Sequence, residues 1–153
     1  MGVRKDWIHA GLRCRVLDSP VSTYNGYVAL TKDHPDHGKN YDEINVNVHG
    51  GLTFSEHGSE DERDGEILFP DKSLYWVGFD TAHSGDWMSY APQRGGRKWS
   101  LEDVSKETEY LAKQLSDIEN MGYNKERIDE RLEELISDRT RINKEIRRLR
   151  KKI

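Results

Sequence analysis

The chain has 153 residues, a formal net charge of −4 and a pI near 5.9, which argues against the basic excess of a nucleic-acid-binding domain. Hydrophobic and charged residues each contribute 34%, too lean for a compact core throughout, so a single domain carrying a long exposed helix is expected. The one cysteine, Cys14, excludes an internal disulfide and a cysteine-built zinc site.

No apolar run is long enough to span a membrane or to act as a secretory signal. No membrane association and a cytosolic location are therefore expected. Charge is unevenly spread: residues 1–123 hold 13 Lys and Arg against 21 Asp and Glu, whereas 124–153 hold 11 against 7. The two ends of the chain thus differ in electrostatic character.

In chain order, Trp7 and Ile8 belong to an amphipathic lead-in at the edge of the domain. Leu12 to Leu17 reads as a first strand, in which Cys14 is a buried structural thiol. Asn25-Gly26 is a turn signal, followed by a second strand, Tyr27 to Thr31. Lys32 to Tyr41 is a polar loop with His34, Pro35 and His37. A long third strand is predicted over Ile44 to Phe54. With period two, Ile44, Val46, Val48, Leu52 and Phe54 share one face, and Asn45, Asn47, His49 and Thr53 the other. Gly50 and Gly51 beside His49 leave room for a ligand to approach. Ser55 to Gly65 reads as an acidic solvated loop.

Leu74 to Phe79 is apolar on both faces and suits a central strand. Ala82 to Lys98 is a connection punctuated by Gly and Pro, and its Arg94-Gly95-Gly96-Arg97-Lys98-Trp99 run reads as linker. Ser100 caps a helix, with Trp99 and Val104 placed for a hydrophobic staple. Val104, Thr108, Leu111, Leu115 and Ile118 recur at helical spacing. From Ile128 the rhythm restarts in a shifted frame through Leu132, Leu135, Ile142, Ile146, Leu149 and Ile153, with Arg139 filling the one gap. An antiparallel helical hairpin turning at Gly122-Tyr123-Asn124 is preferred here. The competing arrangement is a single helix whose seam jumps by three residues. Either way the second stripe calls for a partner in cis or in an oligomer.

These elements predict an α+β fold: a small, mostly antiparallel sheet packed with a helix, then a C-terminal helical hairpin or coiled coil. The expected divisions are a His/Asp-rich head at 1–99, a helix at 100–122 and a charged heptad-patterned helix at 123–153. Side chains with chemical potential are His34, His37, Asp42, His49, Asp80, His83 and Asp86. His49, Thr53, Asp42, Asp80, His83 and Asp86 form the candidate ligand-binding set. Imidazoles and carboxylates together can hold a divalent metal, perform acid–base work or recognise a polar ligand. Their spacings do not choose among these, and no Walker or Rossmann fingerprint is present. Tyr24, Tyr27, Tyr41, Tyr75 and Trp76 could supply a stacking wall, though most belong in the core.

Taken together, Gly26-Tyr27-Val28, His34-Pro35, Tyr41-Asp42-Glu43-Ile44, Val48-His49-Gly50-Gly51-Leu52-Thr53 and Gly78-Phe79-Asp80 with His83 and Gly85-Asp86 resemble a family of small bacteriophage proteins. The likeness covers about residues 11–115. Thr81 stands where many such relatives carry Cys, and the basic helix after Gly122 departs from the pattern. The resemblance implies a phage or prophage origin and a bacterial cytoplasm, but no activity or site residues. The resulting expectation is an accessory protein, of the counter-defence kind, that binds a polar nucleotide-like molecule at a His/Asp pocket. The alternatives are a metal-dependent hydrolase using the same residues and an inhibitor that binds a host defence protein through its acidic loop and coiled coil. Homo-oligomerisation through the C-terminal helix is expected in each case.

Overall fold

A computed structural model describes residues 2–152, the side chains of Tyr123 and Asn124 excepted. Met1 and Ile153, the last member of the predicted heptad series, lie outside the described residues. The chain divides into two compact units, Met1–Ile118 and Glu119–Ile153.

The first unit is built on a five-stranded antiparallel sheet. Its strands are β1 (Val3–His9), β2 (Leu12–Asp18), β3 (Tyr24–Leu30), β4 (Phe54–His57) and β5 (Tyr75–Phe79), in the order β1-β2-β3-β5-β4. The fold is α+β, as the sequence predicts. All five residues of β5 are buried because both sheet faces are covered. On one face, Val16, Val28, Leu30, Val77 and Phe79 pack with Val104, Leu111 and Leu115 of the helix. On the other, Tyr27, Ala29 and Trp76 pack with Leu17 and Leu68. There the Trp76 indole N–H donates to Pro70 O at 3.0 Å. Each fully buried aliphatic side chain in these layers contributes about 2 kcal/mol.

Helix α1 runs without interruption over Leu101–Arg150. Its start follows the predicted chemistry: Asp103 N donates to Ser100 Oγ at 3.0 Å, and Ser100 N donates back to Asp103 Oδ2 at 3.2 Å. The Ser100 N–H, and after it the Ser100 side chain, hold the Asp103 carboxyl below its ordinary range, and the two bonds satisfy two backbone donors. Of the two arrangements considered for the C-terminal region, the continuous helix is the one formed, and no hairpin turn occurs at Gly122. No proline interrupts residues 101–153, and a single interior glycine costs only about 1 kcal/mol. The jump in frame needs no turn because the two stripes have different surroundings. Val104, Thr108, Leu111 and Leu115 are buried in the first unit, whereas Ile128 to Leu149 are exposed in the second.

Three local expectations are corrected. Asn25 and Gly26 lie inside β3, paired with Leu17 and Val16, rather than in a turn. A Cβ on Gly26 would stand 2.1 Å from Thr108 Oγ1 and 2.5 Å from the Phe79 ring, so the glycine lets the helix approach the sheet. The real β2–β3 turn is organised by Ser19, whose Oγ accepts from Val21 N and Ser22 N. Second, Ser55, Glu56 and His57 belong to β4 rather than to a loop, since they pair with Val77, Trp76 and Tyr75.

Third, the long strand predicted over Ile44 to Phe54 is a strand only at Phe54. The preceding segment keeps its alternation, with Ile44 and Val48 buried and Asn45 and Asn47 exposed, but its partner is the helix. Asn47 N donates to Gln114 Oε1 and Gln114 Nε2 donates to Asn47 O, both at 2.7 Å. His49 N donates to Glu107 Oε1 at 2.9 Å. Helix side chains thus take the bonds that a neighbouring strand would otherwise supply. A turn at Gly50 and Gly51, with φ of 68° and 77°, then ends the extended run. No helix among the described residues is long and apolar enough to cross a membrane.

Candidate functional site: an aspartate between two histidines

The site forms where two segments meet: the helix-bound stretch around His49 and the connection that leaves the end of β5. Asp80 directly follows β5, and its short side chain folds back on the turn, with Oδ1 accepting from Ala82 N at 3.0 Å. Such local side-chain bonding is why Asp favours strand exits. Asp80 Oδ2 accepts from Thr53 Oγ1 at 2.9 Å, which ties β5 to the residue preceding β4. His83 Nε2 is enclosed 3.0 Å from Asp80 Oδ1, without the alignment of a hydrogen bond.

Asp86 is the most deeply placed member, with only 3% of its side chain exposed. Its Oδ2 lies 2.7 Å from His49 Nε2 and accepts from His83 N at 3.0 Å. Its Oδ1 accepts from the Trp99 indole N–H at 3.0 Å. Burial by itself raises the carboxyl pKa, but the bonds from His49, the His83 backbone and Trp99 outweigh it and hold the group below its ordinary range. An ionised carboxylate only accepts, so the proton of the His49–Asp86 bond resides on His49 Nε2. In the neutral ring, Nδ1 is then an acceptor. The His49 ring packs against Trp99 with centroids 4.5 Å apart and meets His83 edge-on at 5.4 Å.

Five of the six proposed site residues therefore form one contact chain: Thr53, Asp80, His83, His49 and Asp86. Asp42 does not join it. It lies exposed in a short 3-10 turn, Tyr41–Glu43, where its N–H contacts Asn40 Oδ1 at 3.4 Å. The role expected of Gly50 is also different. A Cβ there would stand 2.1 Å from His83 Nε2, so the space left by this glycine is filled by the protein's own imidazole.

The two loop histidines serve the fold. His34 is buried; its Nδ1 accepts from Asp36 N at 3.0 Å, so Nε2 carries the proton given to Leu115 O at 2.7 Å. His37 Nε2 lies 3.0 Å from Ser73 O. Thr81 is 1% exposed, bonded to Ser22 Oγ and donating to Tyr24 O, which makes it a structural residue here. Tyr27, Tyr75 and Trp76 lie in the core and do not form a stacking wall. Among the described residues, no three His, Cys, Asp or Glu side chains converge as a ligand set for a metal ion.

Beside this network opens a cleft of about 340 Å³, bordered by His83, Ser84, Met88, Tyr90, Arg94 and the backbone of Gly95-Gly96. Its volume falls at the lower end of small-molecule sites, which span roughly 300–1,000 Å³. Tyr90 is 67% exposed, and Arg94 and Ser84 are exposed at the rim. Gly96 is required by close packing, since a Cβ would stand 2.7 Å from the Asp86 carbonyl carbon. Sequence reading missed Tyr90 and Arg94. The only signal for them is an aromatic beside, and a cation within, the Pro- and Gly-rich run from Ala91 to Gly96. The two basic residues that follow that run are held by tryptophan rings: Arg97 stacks 3.6 Å from the Trp99 ring centroid and Lys98 lies 4.5 Å from that of Trp87.

Comparison of the chain with protein-family models, curated proteins and solved structures yields no match.

Proposed function

We propose that this protein captures a small anionic, nucleotide-like molecule in the cleft beside the His49–Asp86 pair. The observation that carries this reading is the composition of the cleft wall. Arg94 offers donors to an anionic group, Ser84 offers a hydroxyl, and the exposed Tyr90 offers a ring face for a planar base. Arginine donates to phosphate oxygens through a planar fork, and an aromatic face stacks on any nucleobase. Asp86 has its oxygens occupied within the fold. Its part is to hold His49 and the His83 backbone in place rather than to meet the ligand.

The wider biological reading is a phage-encoded accessory protein acting in the cytoplasm of an infected bacterium against a nucleotide-based defence. It is supported by the resemblance of the Val48–Thr53 and Gly78–Asp86 blocks to small phage proteins. Self-association through the C-terminal helix belongs to the same reading and is supported by the exposed apolar stripe of the second unit.

Isothermal titration with a panel of mono-, di- and cyclic nucleotides tests the site. At least one should bind, and Arg94→Ala should weaken it by about tenfold or more, the usual loss for a charge-assisted hydrogen bond. Absence of binding across the panel, or equal affinity of wild type and Arg94→Ala, would sink the proposal.

A further inference from the structure

The second unit carries an apolar stripe with no cover of its own. Ile128, Leu132, Leu135, Ile142, Ile146 and Leu149 are between 41% and 60% exposed, and they recur at four- and three-residue intervals, with one seven-residue step across Arg139, over about three heptads. Spanning roughly 33 Å at 1.5 Å per residue, the stripe has the width of a coiled-coil seam rather than of a face meeting a broad core. A solitary helix of this composition is marginal in water.

We infer that residues 128–149 pair with a second copy of this chain as a parallel, in-register, two-stranded coiled coil. This deepens the self-association reading above by fixing strand number and direction. The charges flanking the stripe decide the direction. In heptad positions, Leu132, Arg139 and Ile146 are a, and Ile128, Leu135, Ile142 and Leu149 are d. Arg131, Asp138 and Glu145 are then g, and Asp129, Ile136, Asn143 and Arg150 are e.

Parallel, in-register pairing sets Glu145 opposite Arg150 of the second copy, twice by symmetry. It also brings the Arg139 side chains of the two copies into one layer and lays Asp138 alongside Arg139 of the second copy, which supplies that charged layer with groups of opposite sign. An antiparallel register matches at most four apolar layers within 128–149, against six in the parallel one. The register that sets Leu132 against Leu149 keeps Asp129 with Arg150 but opposes like charges elsewhere. It places Asp138 against Glu145, and Arg131 against Lys152, of the second copy. Like charges in those positions disfavour a pairing. Asp138 and Glu145 are free to make the change because their present partners, Arg141 and Arg148, lie on their own helix in exposed pairs. Such pairs contribute little.

Sedimentation equilibrium of the full chain, with variants, tests this. The wild type should show twice the 17.8 kDa chain mass. Glu145→Arg should loosen the dimer roughly three- to tenfold, as two exposed ion pairs of ordinary strength become repulsive, and adding Arg150→Glu should restore it. Ile146→Cys should give a disulfide-linked dimer under mild oxidation, with Cys14 buried and unable to substitute. A monomer at all concentrations overturns self-association itself. A dimer that Glu145→Arg tightens or leaves unchanged, or one that Ile146→Cys fails to link, overturns the parallel register while leaving self-association intact. A larger oligomer overturns the two-stranded form.

Discussion

His49 Nε2 lies 2.7 Å from a carboxylate oxygen of Asp86, across 37 residues of sequence, and that contact joins the helix-bound segment to the connection beyond β5. Asp86 also holds Trp99, one residue before the helix cap, and the His83 backbone. A single buried carboxylate therefore fixes three points of the chain.

Replacing it should expose that dependence. Asp86→Ala leaves the indole N–H of Trp99 and His49 Nε2 unpaired and should cost about 2–3 kcal/mol in urea unfolding. The effect of pH follows from the direction of its pKa. The folded value lies below the unfolded one, so the stabilisation is complete above the unfolded value of about 3.9. It is lost as pH falls through the folded value. Asp86→Asn should accordingly lose less stability than wild type as pH falls below about 4 in the same assay.

Gly26 has no room for a side chain. Gly26→Ala would push a methyl into Thr108 Oγ1 and the Phe79 ring, and overpacking of this kind costs about 1–3 kcal/mol. Thermal unfolding should show the loss, and Thr108→Ala introduced alongside should recover part of it by removing the nearer obstacle.

Glu107 and Gln114 act as the substitute strand for residues 44–49. Replacing either with Ala should cost about 1 kcal/mol per hydrogen bond removed. The sharper readout is hydrogen exchange: the amide of Asn47 should lose protection in Gln114→Ala, and that of His49 in Glu107→Ala. The amides of β3 should keep theirs. Uniform loss across the sheet would show that the segment and the sheet open together.

Cys14 should be inert in the native protein. Burial pushes its thiol up to about 12, and the residue is fully enclosed between the sheet and its helix. A thiol reagent at pH 8 should therefore leave native protein unmodified and react with one equivalent after unfolding. Rapid native labelling would contradict the packing around β2.

Much of the first unit is legible in the residues. Leu12 to Leu17 and Tyr75 to Phe79 declare strands through their apolar runs, and Ser100 with Asp103 declares the helix start. The residues mislead where one signal has two physical readings. Asn25-Gly26 carries a turn signature, yet Gly26 is present because Thr108, 82 positions later, needs its missing side chain. Gly50 reads as an open door for a ligand, yet the imidazole of His83 occupies it. Asp86 and His83 were legible as chemically capable residues, whereas Tyr90 and Arg94 were not, because exposed residues in a connection leave no periodic trace.

Local order alone determines that residues 44–48 are extended, that a helix begins after Ser100, and that residues 128–149 carry an apolar seam. Each is written in the spacing of neighbouring side chains, which obeys the geometry of one strand or one helix. Tertiary structure decides what meets the extended segment. A period of two specifies its backbone but not whether a strand or the side chains of Glu107 and Gln114 will satisfy its amides. It likewise decides that Thr53, Asp80, His83, His49 and Asp86 converge while Asp42 stays apart. Those contacts close loops of dozens of residues, and only the docking of the helix on the sheet sets where the loop ends arrive.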